Sequence, residues 1–174
     1  SRGSGIASEN AGAGYTGLGK QWDHGLGGCE SGLTWPDPAD RNIVWSTCYG
    51  NKVTRNDHRS RIARSVAPGM ITRDAPPQDS KYRCHCSAPL AIDPFDHNNV
   101  YYGCNVIFHT NSGGQSWRIN SPDLSTQAPA RIRPSGSIVG DNRGPVAPEL
   151  ISASTTSEAE KGSLWPGRND GKIG

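Results

Sequence analysis

The sequence lacks long apolar runs and is poor in hydrophobic residues. Only 33% of its 174 residues are hydrophobic and 7% are aromatic. No segment approaches the roughly 20 consecutive apolar residues that a membrane-spanning helix requires. The N-terminal sequence SRGSGIASENAGAG has no hydrophobic signal core, so the chain either never carried a signal peptide or is the mature form after its removal. We therefore expect a thin core and no direct membrane span.

The sequence also lacks an excess of charge of either sign. Its 18 Lys and Arg residues nearly balance its 16 Asp and Glu residues, and the basic residues are scattered along the chain. Nucleic acid is therefore not expected as a partner. Gly and Pro, in contrast, make up about a fifth of the residues. This abundance disfavours long helices and favours short strands joined by turns, which predicts an all-β fold.

An internal repeat with a period of 56 residues, the distance from Asp37 to Asp93, organises the chain. WPDPADRNIVWSTCYGNKVTRND (35–57) aligns with AIDPFDHNNVYYGCNVIFHTN (91–111). The copies share turn residues, an apolar pair and a cysteine: Asp37 with Asp93, Pro38 with Pro94, Asp40 with Asp96, Asn42 with Asn98, Val44 with Val100, Trp45 with Tyr101 and Cys48 with Cys104. A third copy, EKGSLWPGRNDGKIG, has Leu164 and Trp165 at the positions of Val44 and Trp45.

The repeated unit predicts a series of antiparallel β-sheets. In DPADRN and DPFDHN the proline fixes φ and the Asp and Asn side chains accept hydrogen bonds from nearby amides, which is typical of turns between strands. Four-stranded sheets repeated in this way predict the blades of a β-propeller, and the alternative is a β-sandwich, which does not repeat internally. The predicted units are an irregular N-terminal segment with the end of a preceding blade (1–27), two blades (28–70 and 82–133) and a partial blade (145–174).

The segment HTNSGGQSWRINSPDLS carries a recognisable hairpin motif. Thr110, Ser112, Gly114 and Trp117 fit the pattern Ser/Thr-x-Asp-x-Gly-x-x-Trp, which resembles the Asp-box, or BNR repeat, of sialidase-type propellers, with Ser112 in place of the usual Asp. In that family the box closes the turn between the third and fourth strands of a blade and has an architectural role. GLGKQW, residues 17–22, retains only the Gly-x-x-Trp half.

The resemblance to BNR-repeat proteins covers roughly residues 15 to 174. GGCESGLTWPDPADRNIVWSTCYG and the segment from Ser80 to Ser125 are similar to large secreted YVTN-type or sortilin-like propellers that are often labelled glycosyl hydrolase, BNR repeat. The resemblance implies an exported, extracellular or periplasmic protein. About three blades cannot close a ring, so we expect an incomplete propeller, completed by the rest of a longer chain or by other chains.

No catalytic set can be recognised in the sequence. The resemblance suggests a sialidase arginine triad or a pair of carboxylates as in xyloglucanases. The available residues are Arg83, Arg131 and Arg133 for the triad, and Asp93, Asp96, Asp123, Asp141 and Glu149 for the pair. RIRP does not match the sialidase motif, and most of these carboxylates stand in turns that already explain them. The catalytic residues therefore remain unknown.

The five cysteines predict disulfides. Cys29 precedes the turn of the first copy by about as many residues as Cys48 follows it, so the two lie nearly opposite in a hairpin. Cys104 should pair with Cys84 or Cys86, which leaves one thiol over. The alternative for Cys84, Cys86 and Cys104 is a thiolate metal site, which lacks a fourth ligand. The histidines His24, His58, His97 and His109 are expected at the surface, and we expect no metal or cofactor.

Three functions from different classes remain open. The first is a non-catalytic scaffold that binds other proteins, which is favoured because every recognisable motif is structural. The second is a glycoside hydrolase of the Asp-box type, closer to a xyloglucanase than to a sialidase, whose ligand would be carbohydrate. The third is a thiol-rich metal or redox module.

Overall fold

The computed structural model describes residues 6–7 and 22–23 by their backbone, and residues 26–29, 32–69, 80–126 and 150–169 in full. These residues form twelve β-strands and no helix, which confirms the all-β prediction for this part of the chain. The strands are β1 (Ile6–Ala7), β2 (Trp22–Asp23), β3 (Thr34–Pro36), β4 (Ile43–Cys48), β5 (Lys52–Asp57), β6 (Ile62–Ser65), β7 (Leu90–Ile92), β8 (Val100–Gly103), β9 (Ile107–Thr110), β10 (Arg118–Ile119), β11 (Ile151–Thr156) and β12 (Leu164–Arg168).

The strands form four antiparallel sheets: an N-terminal strand pair, and three further sheets that are numbered here in chain order. The first sheet is β3-β4-β5-β6 and the second is β7-β8-β9-β10, each a four-stranded meander. The third sheet contains β11 and β12, and an N-terminal strand pair contains β1 and β2. No pairing among the described strands joins these sheets into a closed barrel or ring. Parts of all four predicted units, 1–27, 28–70, 82–133 and 145–174, lie outside the described residues.

The same turn joins the first and second strands of all three sheets. Its first residue donates its amide to a carbonyl six residues later, at 2.9 Å each time: Asp37 to Ile43, Asp93 to Asn99 and Ser157 to Ser163. The side chain of that first residue accepts an amide two residues on: from Ala39, Phe95 and Ala159. A short polar side chain can therefore close this turn in every copy. The equivalence places Leu164 at the position of Val44, in agreement with the sequence alignment.

Consecutive sheets pack face to face. The core between the first and second sheets combines Ile43, Trp45 and Val53 of the first with Leu90, Tyr102 and Phe108 of the second. The opposite face of the second sheet packs on the third sheet, where a β-carbon added at Gly103 would lie 2.8 Å from a methyl carbon of Ile151. The hydroxyl of Thr156 donates to the Ile92 carbonyl across that second junction, at 3.0 Å. The first and second sheets are therefore each packed against the sheet that follows.

Two disulfides link the segment before a first strand to the end of the second strand. Cys29 is bonded to Cys48, and Cys84 to Cys104, with Cα atoms 5.6 and 4.0 Å apart. The first pair is the predicted one, and the second decides between the two partners that the sequence left open for Cys104. Cys86 is half-buried and takes part in neither bond.

Candidate functional site

The box motif forms a closed turn between β9 and β10. The Thr110 hydroxyl accepts the amides of Ser112 and Gly114 at 3.2 and 3.1 Å. The Ser112 hydroxyl accepts the amide of Ser116 at 3.1 Å, so serine provides an acceptor at the position where the pattern has Asp. Gly113 and Gly114 have φ of 65° and 83°, a left-handed conformation that other residues adopt at a cost. The polar side chains of the motif are thus engaged within the turn.

The box turn packs against Val66, which directly follows β6, the last strand of the first sheet. The Trp117 indole nitrogen donates to the Val66 carbonyl at 2.6 Å. A β-carbon added at Gly114 would lie 2.6 Å from the Val66 β-carbon, so only glycine permits this approach. The Trp117 ring also lies 6.3 Å, between centroids, from the Tyr102 ring of its own sheet. The turn therefore connects the two sheets.

A second contact between these sheets joins a histidine and an aspartate of the repeated turns. Nδ1 of His97 lies 2.9 Å from Oδ1 of Asp37, which is buried. Asp37 belongs to the turn of the first sheet and His97 to the turn of the second. The polar residues that form the turns therefore also connect neighbouring sheets.

The carboxylates considered for catalysis accept hydrogen bonds from nearby residues wherever the structure describes them. Asp93 accepts the Phe95 amide at 2.8 Å. Asp96 accepts the side-chain amides of Asn98 and Asn99 at 2.9 Å, and hydrogen bonds from Asn98 lower its pKa. A general acid of a glycosidase needs the opposite shift, a raised pKa, at neutral pH.

Asp123 belongs to a hydrogen-bonded network at the rim of the second sheet. Its carboxylate accepts the Asn105 side-chain amide at 2.8 Å and the Ser125 hydroxyl at 2.6 Å. Burial raises the pKa of Asp123, but hydrogen bonds from Ser125 and Asn105 and the charge of Arg83 together outweigh it, so the pKa is lowered. Arg83 itself donates to Ser125 at 2.8 Å and lies 3.9 Å from Asp123. This arrangement orders the chain after β10 and leaves Arg83 engaged within the fold.

Several proposed residues lie outside the described part of the chain. Arg131 and Arg133 of the hypothetical triad, the carboxylates Asp141 and Glu149, and His24 belong to this group. The structure therefore does not bring a triad or a carboxylate pair together from the residues it describes. The same limit applies to GLGKQW, of which only the backbone of Trp22 is described.

The disulfide pairing contradicts the hypothesis of a thiolate metal site. Cys84 and Cys104 are bonded to each other, so they cannot act together as thiolate ligands. No cluster of three or more His, Cys, Asp or Glu side chains suitable for a metal ion occurs within the described residues. His85 accepts the Ser87 amide at 3.1 Å, and burial lowers the pKa of its imidazole. The RCHCS segment is therefore held by a disulfide and local hydrogen bonds.

The expectation that His109 lies at the surface is wrong, because this residue of β9 is only 3% exposed. The side-chain amide nitrogen of Asn99 donates to the Asp96 carboxylate. The side-chain oxygen Oδ1 of Asn99 therefore accepts from Nε2 of His109, at 2.8 Å. Burial, followed by the charge of Arg118, lowers the His109 pKa. The ring is tilted by 40° to the Tyr101 ring, and the two centroids lie 4.8 Å apart. A neutral histidine that packs against an aromatic ring is compatible with the interior, which the polar sequence around it concealed.

Sequence reasoning missed Val66 as a partner of the box motif. Its contribution to the contact is a backbone carbonyl and a close-packed side chain, and neither leaves a signature in the sequence.

The concave surface around Pro36 to Asn42 is lined by one turn only, so it does not place two groups on opposite sides of a cleft.

No protein-family model and no curated protein sequence matches this chain. No helix able to cross a membrane occurs among the residues that the structure describes. The functional assignment therefore rests on geometry and chemistry.

Proposed function

We propose that this chain is a non-catalytic, exported β-propeller module of the BNR/Asp-box type, which acts as a structural or protein-binding scaffold within a larger protein or assembly. The observation that carries the proposal is the repeated junction between sheets. The first sheet packs on the second and the second packs on the third, in chain order. A constant rotation at each such junction would arrange the sheets around an axis, as in a propeller.

The absence of catalysis is supported by how the candidate groups are used. Asp93, Asp96 and Asp123 each accept hydrogen bonds from their own turn or strand end. The box residues Thr110 and Ser112 are also engaged within their own turn. Loops at the ends of such sheets remain available as an interaction surface, which suits a scaffold.

Export is supported by the two disulfides. Cys48, Cys84 and Cys104 are buried, and both bonds lie within a sheet unit. Disulfides of this kind persist in oxidising compartments, outside the cell or in the periplasm. A chain of low hydrophobic content gains stability from such cross-links.

The proposal is tested by an activity assay and an experimental structure. The purified chain is incubated with sialosides and with xyloglucan oligosaccharides, and we expect no turnover. Turnover that Asp93→Asn or Asp123→Asn abolishes would refute the non-catalytic assignment. An electron cryo-microscopy or crystal structure of the chain in its assembly should show the sheets arranged around a common axis, whereas a sandwich of two sheets would refute the propeller.

A further inference from the structure

The tautomer of His109 is fixed by a chain of hydrogen bonds. The Asp96 carboxylate accepts the side-chain amide nitrogen of Asn99 at 2.9 Å, so the side-chain oxygen of Asn99 faces Nε2 of His109, at 2.8 Å. This oxygen can only accept a hydrogen bond, and Nε2 must therefore donate its proton to it. In the neutral imidazole the second nitrogen, Nδ1, then carries no proton.

The Asp96 end of this chain of hydrogen bonds stays ionised in mild acid. Hydrogen bonds from Asn98 lower the pKa of Asp96, and the charges of His97 and Lys161 act in the same direction. Lys161 lies in the turn between β11 and β12, and His97 lies in the equivalent turn of the second sheet. The orientation of Asn99, and with it the tautomer of His109, is therefore retained below neutral pH.

Nδ1 of His109 is buried and has no hydrogen-bond partner within the part of the chain that the structure describes. Protonation would turn this nitrogen into a donor and would place a positive charge in the interior. A buried charge without a partner is strongly unfavourable. The closed second sheet therefore accommodates His109 only as the neutral imidazole.

Three charged or titratable groups act on the imidazole among the described residues. The Tyr101 ring of β8 packs against it, and Arg118 of β10 pairs with His109 across the sheet. Asp93, directly after β7, supplies a negative charge. Burial, followed by the charge of Arg118, lowers the His109 pKa, and together they outweigh Asp93. A second proton on the closed imidazole is therefore opposed by its burial and by Arg118.

His109 belongs to the part of the second sheet that carries the box turn. Thr110, the first residue of the box, directly follows it on β9, and the Thr110 hydroxyl accepts the Gly114 amide. β10, on the other side of the box turn, consists of two exposed residues. A strand pair with so short an outer strand can open while the remaining strands stay folded. Opening brings the imidazole into water, where Nδ1 can take a proton.

We propose that His109 is a pH sensor of the second sheet: in mild acid its imidazole binds a proton when β9 and β10 open, which stabilises the open state and releases the box turn from the first sheet. Above the ordinary histidine pKa of 6.5 the imidazole is neutral in both states, and the closed state has its full stability. As the pH falls below 6.5, the open state binds a proton that the closed state does not bind, so the closed state loses stability. The loss levels off once the pH reaches the lower pKa of the closed state.

Hydrogen exchange of the Gly114 amide, measured by NMR on the full chain, tests the proposal. In His109→Gln the side-chain amide can still donate to Asn99 but does not titrate. Between about pH 7.5 and about pH 5.5 the opening constant should therefore rise by up to about tenfold more in the parent than in His109→Gln, the limit set by an open-state pKa of 6.5. The matched control is His58→Gln, at an exposed histidine in the turn after β5, which should respond to pH as the parent does. Equal pH responses of the parent and His109→Gln would overturn the inference.

The chemical shifts of the imidazole nitrogens in the parent chain give a second test, which needs no variant. They distinguish a protonated from an unprotonated nitrogen, so they report the tautomer and the titration of His109 directly. We expect a protonated Nε2 and an unprotonated Nδ1, with a titration midpoint below 6.5. A midpoint at or above 6.5 would refute the sensor, even if His109→Gln does not fold.

Discussion

Substituting Gly114 by alanine tests the contact between the box turn and the first sheet. The residue has φ of +83°, and an added β-carbon would lie 2.6 Å from the β-carbon of Val66 and 2.9 Å from one of its methyl groups. The left-handed conformation costs a non-glycine residue about 1 kcal/mol. The steric overlap adds about 2 kcal/mol, the middle of the range for overpacked sites. We therefore expect Gly114→Ala to lower the free energy of unfolding by about 3 kcal/mol.

The matched control for this prediction is Gly162→Ala. Gly162 has nearly the same φ, +85°, and nothing lies within 4 Å of its added β-carbon. Its substitution should cost about 1 kcal/mol, from the backbone alone. Both free energies come from urea unfolding followed by tryptophan fluorescence. If the two alanine variants unfold at the same midpoint, the box turn does not press on Val66 and its assignment as a connection between sheets is wrong.

The other contacts described above give further predictions. Trp117→Phe keeps the ring but removes the indole donor, so it should cost about 1 kcal/mol in the same unfolding assay, and an unchanged midpoint would contradict the hydrogen bond to the first sheet. Replacing Cys29 and Cys48 together by serine removes a disulfide between residues 19 positions apart. The free energy of unfolding should fall by about 3 kcal/mol relative to the oxidised parent, whereas equal stability would show that the disulfide does not stabilise the fold. The Asp40 carboxylate has its pKa lowered from 3.8 to about 2, chiefly by a hydrogen bond from Arg59. Its contribution to stability should therefore be complete above pH 4 and be lost as the pH falls through about 2, and an NMR titration in which Arg59→Ala leaves the Asp40 pKa at about 2 would refute this cause.

The sequence predicted those features that short segments determine. Asp37 and Asp93 close their turns through their own side chains, so the repeat in the sequence is also a repeat in hydrogen bonds. The choice between Cys84 and Cys86 could not be predicted, because the two cysteines flank the position equivalent to Cys29 at one residue's distance on either side. The repeat also changes after the second strand: Thr47 pairs with Val53, whereas its equivalent Gly103 pairs with Ile107. The connection is thus two residues longer in the first sheet, which shortens the period from 56 to 54.

The candidate site was predictable only as far as its local geometry. The box turn of Thr110 to Trp117 forms hydrogen bonds among its own residues, as the motif implies. Its docking on Val66 depends on the packing of two sheets that are distant in sequence. The burial of His109 was not predictable either, since the Tyr101 ring of the adjacent strand packs against a side chain that is surrounded by polar residues in the sequence. Contacts between sheets, unlike turns, are decided by the whole assembly.

The position of the two disulfides determines how the chain would respond to mechanical tension. Each bond closes a loop within one sheet unit, with sequence separations of 19 and 20 residues. Contacts between the described sheets are non-covalent, so a pulling force applied to the two ends of the chain can separate the sheets from each other. The residues inside each loop cannot extend while the disulfide is intact. Each disulfide therefore shortens the fully extended chain by about 65 Å. Under load, the protein would therefore come apart as discrete, covalently closed units.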